Sequence, residues 1–147
     1  MSIMRDDHQA SLAGLHSDGS ELLQRYRDLL EGQQLSEELR VLLRRVLSER
    51  EPLMERLREI DRTRGDLPKA GDPERAFLKS LADWVGDRVL DDSAATAERL
   101  ADAERDWLDD IEEAMDLDWR DDEREVLAAL RDHVRETRAR LGELGEG

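Results

Sequence analysis

The sequence has no cysteine and no asparagine. Without thiols it can make no disulfide, no thiolate metal site and no thiol nucleophile. Without Asn it offers no acceptor for N-linked glycosylation. Lysine occurs only at Lys69 and Lys79, so nearly all positive charge is Arg. Aromatic residues make up 3 % of the chain: three Trp, one Tyr and one Phe. No apolar run approaches the roughly 20 residues of a transmembrane helix, and nothing alternates with the period of a strand. The N-terminal stretch MSIMRDDHQA lacks the charged and apolar regions of a signal peptide, so a cytoplasmic location is expected. The sequence also contains no His-Glu-x-x-His, no glycine-rich phosphate loop and no nucleophile elbow.

A clustered basic surface is missing too. The net charge is −15, and most basic residues alternate with acids at helical spacing, as in Arg56/Glu59 and Arg99/Asp102. Nucleic acid and anionic membranes both require concentrated Lys and Arg, so neither is an expected partner. The Arg-rich, Asp-rich, Lys-poor composition fits a GC-rich genome or salt adaptation.

What is present is charge and period. A chain of 147 residues amounts to one domain, long enough to bury a core without a disulfide or a structural metal. Charged residues make up 41 % of it, against about 25 % in an average domain. Disorder is excluded by the spacing of the apolar residues, which recur at the 3.6-residue period.

Residues 1–19 form a weakly ordered or helical extension, and the bundle domain spans 20–144. A first helix covers about Ser20 to Glu31, with Leu22, Leu23, Tyr26, Leu29 and Leu30 on one stripe, and Gly19 is placed to break or bend anything longer. The second begins at Ser36, a good N-cap, and runs through Pro52, where a kink is expected. GDLPKAGD at 65–72 is the clearest break. Asp72-Pro73 then opens a short helix over about 73–90. Ser93 caps the next helix, which carries Leu100, Trp107, Leu108 and Ile111 inward. Trp119 plugs the turn after it. The last helix holds Val126, Leu127, Leu130, Val134, Thr137 and Leu141, and the tail LGELGEG is expected to fray. The fold class is all-α.

In RYRDLLE at 25–31, ELRVLLRRVLSEREPLMERL at 38–57, SLADWVGDRVL at 80–90, AERDWLDDIEEAM at 103–115 and VLAALRDHVRETRARL at 126–141, the chain resembles the ferritin-like bacterial bundles related to rubrerythrin and bacterioferritin. The resemblance spans about residues 20–141. It implies a ferritin-like four-helix bundle with a short crossover helix between helices two and three, which then run parallel. It also implies a carboxylate-bridged di-iron site, built from one Glu on each of two helices and two Glu-x-x-His motifs. Glu104 and Glu49 match two of these ligands. Pro52 stands where a His is needed, Leu23 or Gln24 where a Glu is needed, and His133 and Glu136 are spaced correctly but in reversed order. The set is incomplete.

Four polar residues fall on apolar faces. Glu104 lies at the helical step between Leu100/Ala101 and Trp107/Leu108, so its carboxylate points inward. A buried carboxylate must be paired or neutralised. It is either an ion-pair partner of an inward Arg or of His133, or a metal ligand or general base. Glu49 and Arg50 share the gap between Val46 and Leu53, and one of them must flank the core. His133 sits beside Val134 and is suited to a pH-sensitive pairing, since imidazole titrates near neutrality. Tyr26 points inward with a hydroxyl that needs a partner. Tyr26, Glu49, Glu104 and His133 thus form a polar core network, in which Glu49, Glu104 and His133 are the weak metal candidates. The clusters Asp109-Asp110, Glu112-Glu113 and Asp121-Asp122-Glu123 read as solvated faces, and Arg120 breaks the calcium-loop pattern begun by Asp116 and Asp118.

The expectation is a non-enzymatic bundle with a degenerate metal site, working by association in stress physiology, without a cofactor. The alternative is a ferritin-like oxidase or storage protein binding iron or zinc at a partial or intersubunit site. A homodimer is expected, because Trp84 and Trp107 follow apolar stripes and large aromatics are preferred interface anchors.

Overall fold

In the computed structural model, residues 7–32, 35–63 and 93–146 are described. They form four helices: α1 (Asp7–Gly32), α2 (Glu37–Thr63), α3 (Ser93–Ala114) and α4 (Asp121–Glu146). Among the described residues there is no strand. The chain is an all-α bundle, as the apolar period predicts. The GDLPKAGD break, the helix expected at about 73–90 and Trp84 lie outside the described residues.

Around the bundle the helices follow one another as α1, α2, α4, α3. Two antiparallel hairpins, α1–α2 and α3–α4, lie side by side. The first residues of α2 and α3 meet: the Ser36 amide donates to Ser93 Oγ at 2.8 Å. Both helices therefore start at the same end and run parallel across the diagonal. With 27 residues at about 1.5 Å each, α2 is about 40 Å long, so Thr63 lies at the end opposite Ser93.

Local chemistry sets the helix ends. Ser36 caps α2 by accepting the Leu39 amide on its Oγ at 3.2 Å. At the start of α4, Glu123 reaches back to accept the Arg120 amide at 3.0 Å, one half of a capping box. At the end of α3, Trp119 Nε1 donates to the Ala114 carbonyl at 2.7 Å, so the buried Trp119 closes that end as its position suggested. The tail does not fray: α4 continues to Glu146, and a methyl group on Gly145 would touch the Ala94 carbonyl and Glu98 at 3.5 Å. α2 runs on through Pro52. Both Pro52 and Ser48 are exposed, so water can take up the backbone bond that the proline removes.

α1 takes the helical alternative for the N-terminal extension and lacks the break expected at Gly19. It begins at Asp7 and passes uninterrupted through Gly19. Leu12 and Leu15 are core residues, and the stripe Leu12, Leu15, Gly19, Leu22, Tyr26, Leu29 is continuous. Gly19 is a slot within that stripe. A Cβ there would stand 2.4 Å from Trp107 Cζ2 and 2.7 Å from Met54 Cε. Trp107 Nε1 also donates to the Leu15 carbonyl at 3.2 Å, one turn earlier on the same helix. The indole of α3 is thus seated in a groove that only glycine leaves open.

Gly19→Ala is accordingly expected to destabilise the fold. Helix propensity favours alanine by about 1 kcal/mol, but displacing a rigid, fully buried ring costs about 1–3 kcal/mol. A net loss in urea denaturation, of up to about 2 kcal/mol, confirms the slot. A net gain contradicts it.

Candidate functional site

The centre of the bundle contains one polar layer to which every helix contributes a side chain. Tyr26 comes from α1, Arg50 from α2, Glu104 from α3 and His133 from α4. The first three are completely buried, and 9 % of the His133 side chain is exposed.

The Arg50 guanidinium grips Glu104 in a two-pronged pair: Nη1 to Oε2 at 2.8 Å and Nη2 to Oε1 at 2.7 Å. The Tyr26 hydroxyl donates to the same Oε2. Arg50 Cζ lies over the Trp107 ring, 5.1 Å from its centroid, and over the Tyr26 ring, 5.8 Å from its centroid. This arrangement suits Arg and not Lys, since only a planar fork binds both oxygens while stacking on aromatics. Arg50 Nε and His133 Nε2 are buried with no hydrogen-bond partner among the described residues.

Charge and burial act together here. Burial opposes the Arg50 charge, but the Glu104 carboxylate more than offsets it, so the guanidinium is held above its ordinary range. Burial, and then the charge of Glu104, push the Tyr26 phenol well above its usual value. His133 behaves oppositely. Burial, followed by repulsion from Arg50, lowers it to about 4, against the pull of Glu104, Glu49 and Glu136. The ring is therefore neutral at pH 7, and the titration near neutrality expected of a Glu104–His133 pair does not occur.

Of the two residues sharing the gap on α2, Arg50 takes the core and Glu49 the surface. Glu49 is exposed and bonds to Arg45 at 3.1 Å, with His133 Nδ1 at 3.9 Å. The network thus gathers Tyr26 and Glu104, takes His133 at its edge and excludes Glu49. Sequence reasoning underweighted Arg50, although its position carried the signal: it lies seven residues after Leu43 and seven before Leu57, in the middle of the buried stripe.

The donors do not fit a di-iron centre. Both Glu104 oxygens are already engaged, and the place of a metal cation is filled by a guanidinium. Gln24 faces outward and bonds to Asp28, Leu23 is an apolar core residue, and Pro52 is exposed. Among the described residues no group of three or more His, Asp or Glu side chains has the arrangement to hold a metal ion.

Two outcomes follow. Glu104→Leu leaves a buried guanidinium unpaired and should cost about 3–5 kcal/mol, read as a shift of the urea midpoint. A loss below about 1 kcal/mol would mean that the pair is solvated. His133 should make stability fall with acid. Its folded value lies below its unfolded one, so the contribution is complete above pH 6.5 and is lost as pH falls towards about 4. Over that window the wild type should lose about 2 kcal/mol relative to His133→Gln, after discounting for the part of the ring that water reaches. Parallel stability curves for the two proteins would show that His133 is not buried as a neutral ring.

Comparison of the chain with known protein families, with characterised proteins and with solved structures gives no match.

Proposed function

We propose that this chain is a ferritin-like bundle that works by association with a second copy of itself and carries out no metal chemistry in its core. The observation that carries the proposal is the saturation of Glu104 by the Arg50 fork and the Tyr26 hydroxyl. A carboxylate on the third helix is where the resemblance asks for a ligand, and the positive charge beside it is covalently part of the protein. A guanidinium has no empty orbital, cannot change oxidation state and cannot activate water as a metal does. The parallel run of α2 and α3 supports the ferritin-like arrangement, which is the bundle type with one long crossover between those helices.

Association does not rest on the tryptophans of the described residues. Trp107 and Trp119 are buried within their own chain, and the only large hydrophobic among the described residues that is strongly exposed is Val41. Trp84 lies outside the described residues. A closed two-fold pair is the commonest assembly for such a chain. The net charge of −15 opposes it at low salt, and screening over about 8 Å relieves that opposition at physiological strength.

The second reading is a metal site shared between copies. It is favoured by Glu49 and His133, 3.9 Å apart at the rim of α2 and α4, where a partner could supply further ligands.

Sedimentation at low and high salt, with and without added Zn(II) or Fe(II) and with metal counted per chain, tests both. The proposal expects a dimer that tightens with salt, ignores metal and contains far less than one ion per chain. A monomer at both salts, at high micromolar concentration, ends the association. Two ions per chain end the metal-free core. A dimer that forms only with Zn(II) or Fe(II), and is lost in His133→Ala, establishes the second reading instead.

A further inference from the structure

We infer that the buried Arg50–Glu104 pair is a register key, which makes a core of interchangeable leucines accept one alignment of its two hairpins. Fourteen of the 24 buried hydrophobic side chains among the described residues are Leu. Leucine-dominated cores tend to be under-specified, because one Leu replaces another with little change in packing. The period of the stripes makes the ambiguity concrete. On α2, Leu43, Arg50 and Leu57 follow one another at seven residues, and on α3 so do Ala97, Glu104 and Ile111. Sliding α2 against α3 by one heptad, about 10 Å, keeps apolar facing apolar almost everywhere. It also sets Arg50 against Ala97 or Ile111, and Glu104 against Leu57 or Leu43. Both charges would then be buried without a partner, which the interior does not tolerate.

Among the described residues α2 and α3 also meet at the exposed Ser36–Ser93 bond, but misplacing that bond buries no charge. The two helices lie on the diagonal of the bundle, and the guanidinium fork spans it at 2.7 Å and 2.8 Å. The indole of Trp107 in the Gly19 slot seats α3 against α1 of the other hairpin by shape, and the fork adds a charge that tolerates no slip. Tyr26 extends the key to α1 by bonding to Glu104. A buried ion pair contributes little to stability compared with apolar residues of the same size, whereas polar groups buried at one position are the established way to fix register.

The experiment compares the full chain with the double variants Arg50→Met/Glu104→Met and Arg50→Glu/Glu104→Arg. The methionine pair should keep its helix content by circular dichroism, and its urea midpoint should match or exceed that of the wild type. Its amide spectrum should nevertheless show several sets of peaks for α2 and α3, and core amide protection should fall about tenfold or more. The swapped pair should return the spectrum to a single set, since it restores the key with the charges exchanged. A methionine variant with one sharp set of peaks and wild-type protection overturns the inference. So does a methionine variant as unstable as Glu104→Leu, which would make the pair a plain stabiliser. A swapped variant no better ordered than the methionine pair overturns it as well.

Discussion

A carboxylate and a guanidinium buried together, with no water to fall back on, constrain everything else in this bundle. Each ion would cost several kcal/mol to bury alone, roughly what a small domain has to spare. The pair is tolerated because its geometry is close to ideal: two parallel bonds, a third from Tyr26, and aromatic faces on the guanidinium. Its requirements spread outward. α2 and α3 must bring their midpoints to one level, which two parallel helices starting side by side at Ser36 and Ser93 achieve. Tyr26 must keep its proton, because a phenolate beside Glu104 would place two negative charges against one positive. His133 must stay neutral for the converse reason. Arg50 and Glu104 sum to zero, and a protonated imidazole would leave the layer with an uncompensated charge.

The outside of the protein obeys a different rule. Exterior ion pairs such as Arg45–Glu49 and Arg140–Glu136 are solvated and spaced four residues apart, so each contributes at most a few tenths of a kcal/mol. They clothe the surface in charge without holding the fold together. On α3 the carboxylates are crowded enough to act on one another: partial burial, and then Glu113, Asp106 and Asp109, push Asp110 above the usual carboxylate range. That crowding is a load on the fold, and the apolar stripe of the same helix carries it through Leu100, Trp107, Leu108 and Ile111.

The parts of this structure that sequence disclosed are those set by period and by local hydrogen bonding. An inward Glu104 follows from its step between Leu100 and Trp107, the start of α2 from the side chain of Ser36, and the buried hydroxyl of Tyr26 from its place among leucines. Between Glu49 and Arg50 the heptad step from Leu43 to Leu57 favours Arg50, but the margin is narrow. Adjacent residues lie about 100° apart on a helix, and either could border the core until the direction of α3 was known. Gly19 was misleading for a related reason. A glycine in a helix reads as a break when only local propensity is considered, and its value here lies in an indole from a residue 88 positions later in the chain. LGELGEG likewise resembles a frayed end until Ala94 and Glu98 are found packed against Gly145. In each case a contact distant in sequence overrides the local preference.

Access and capacity limit what the core can do. Tyr26, Arg50, Glu104 and Trp107 are all buried away from solvent. The groups there are also committed. Glu104 would have to give up the guanidinium before acting as a base, and Arg50 would then remain in hydrocarbon. The carboxylate is held by a two-pronged pair whose cation is kept above its own range. The polar layer is thus built to resist change. What the layer can transmit is geometry: two hairpins locked in one alignment present one fixed exterior. On the proposed reading of association, that fixed exterior is the surface a second copy would meet.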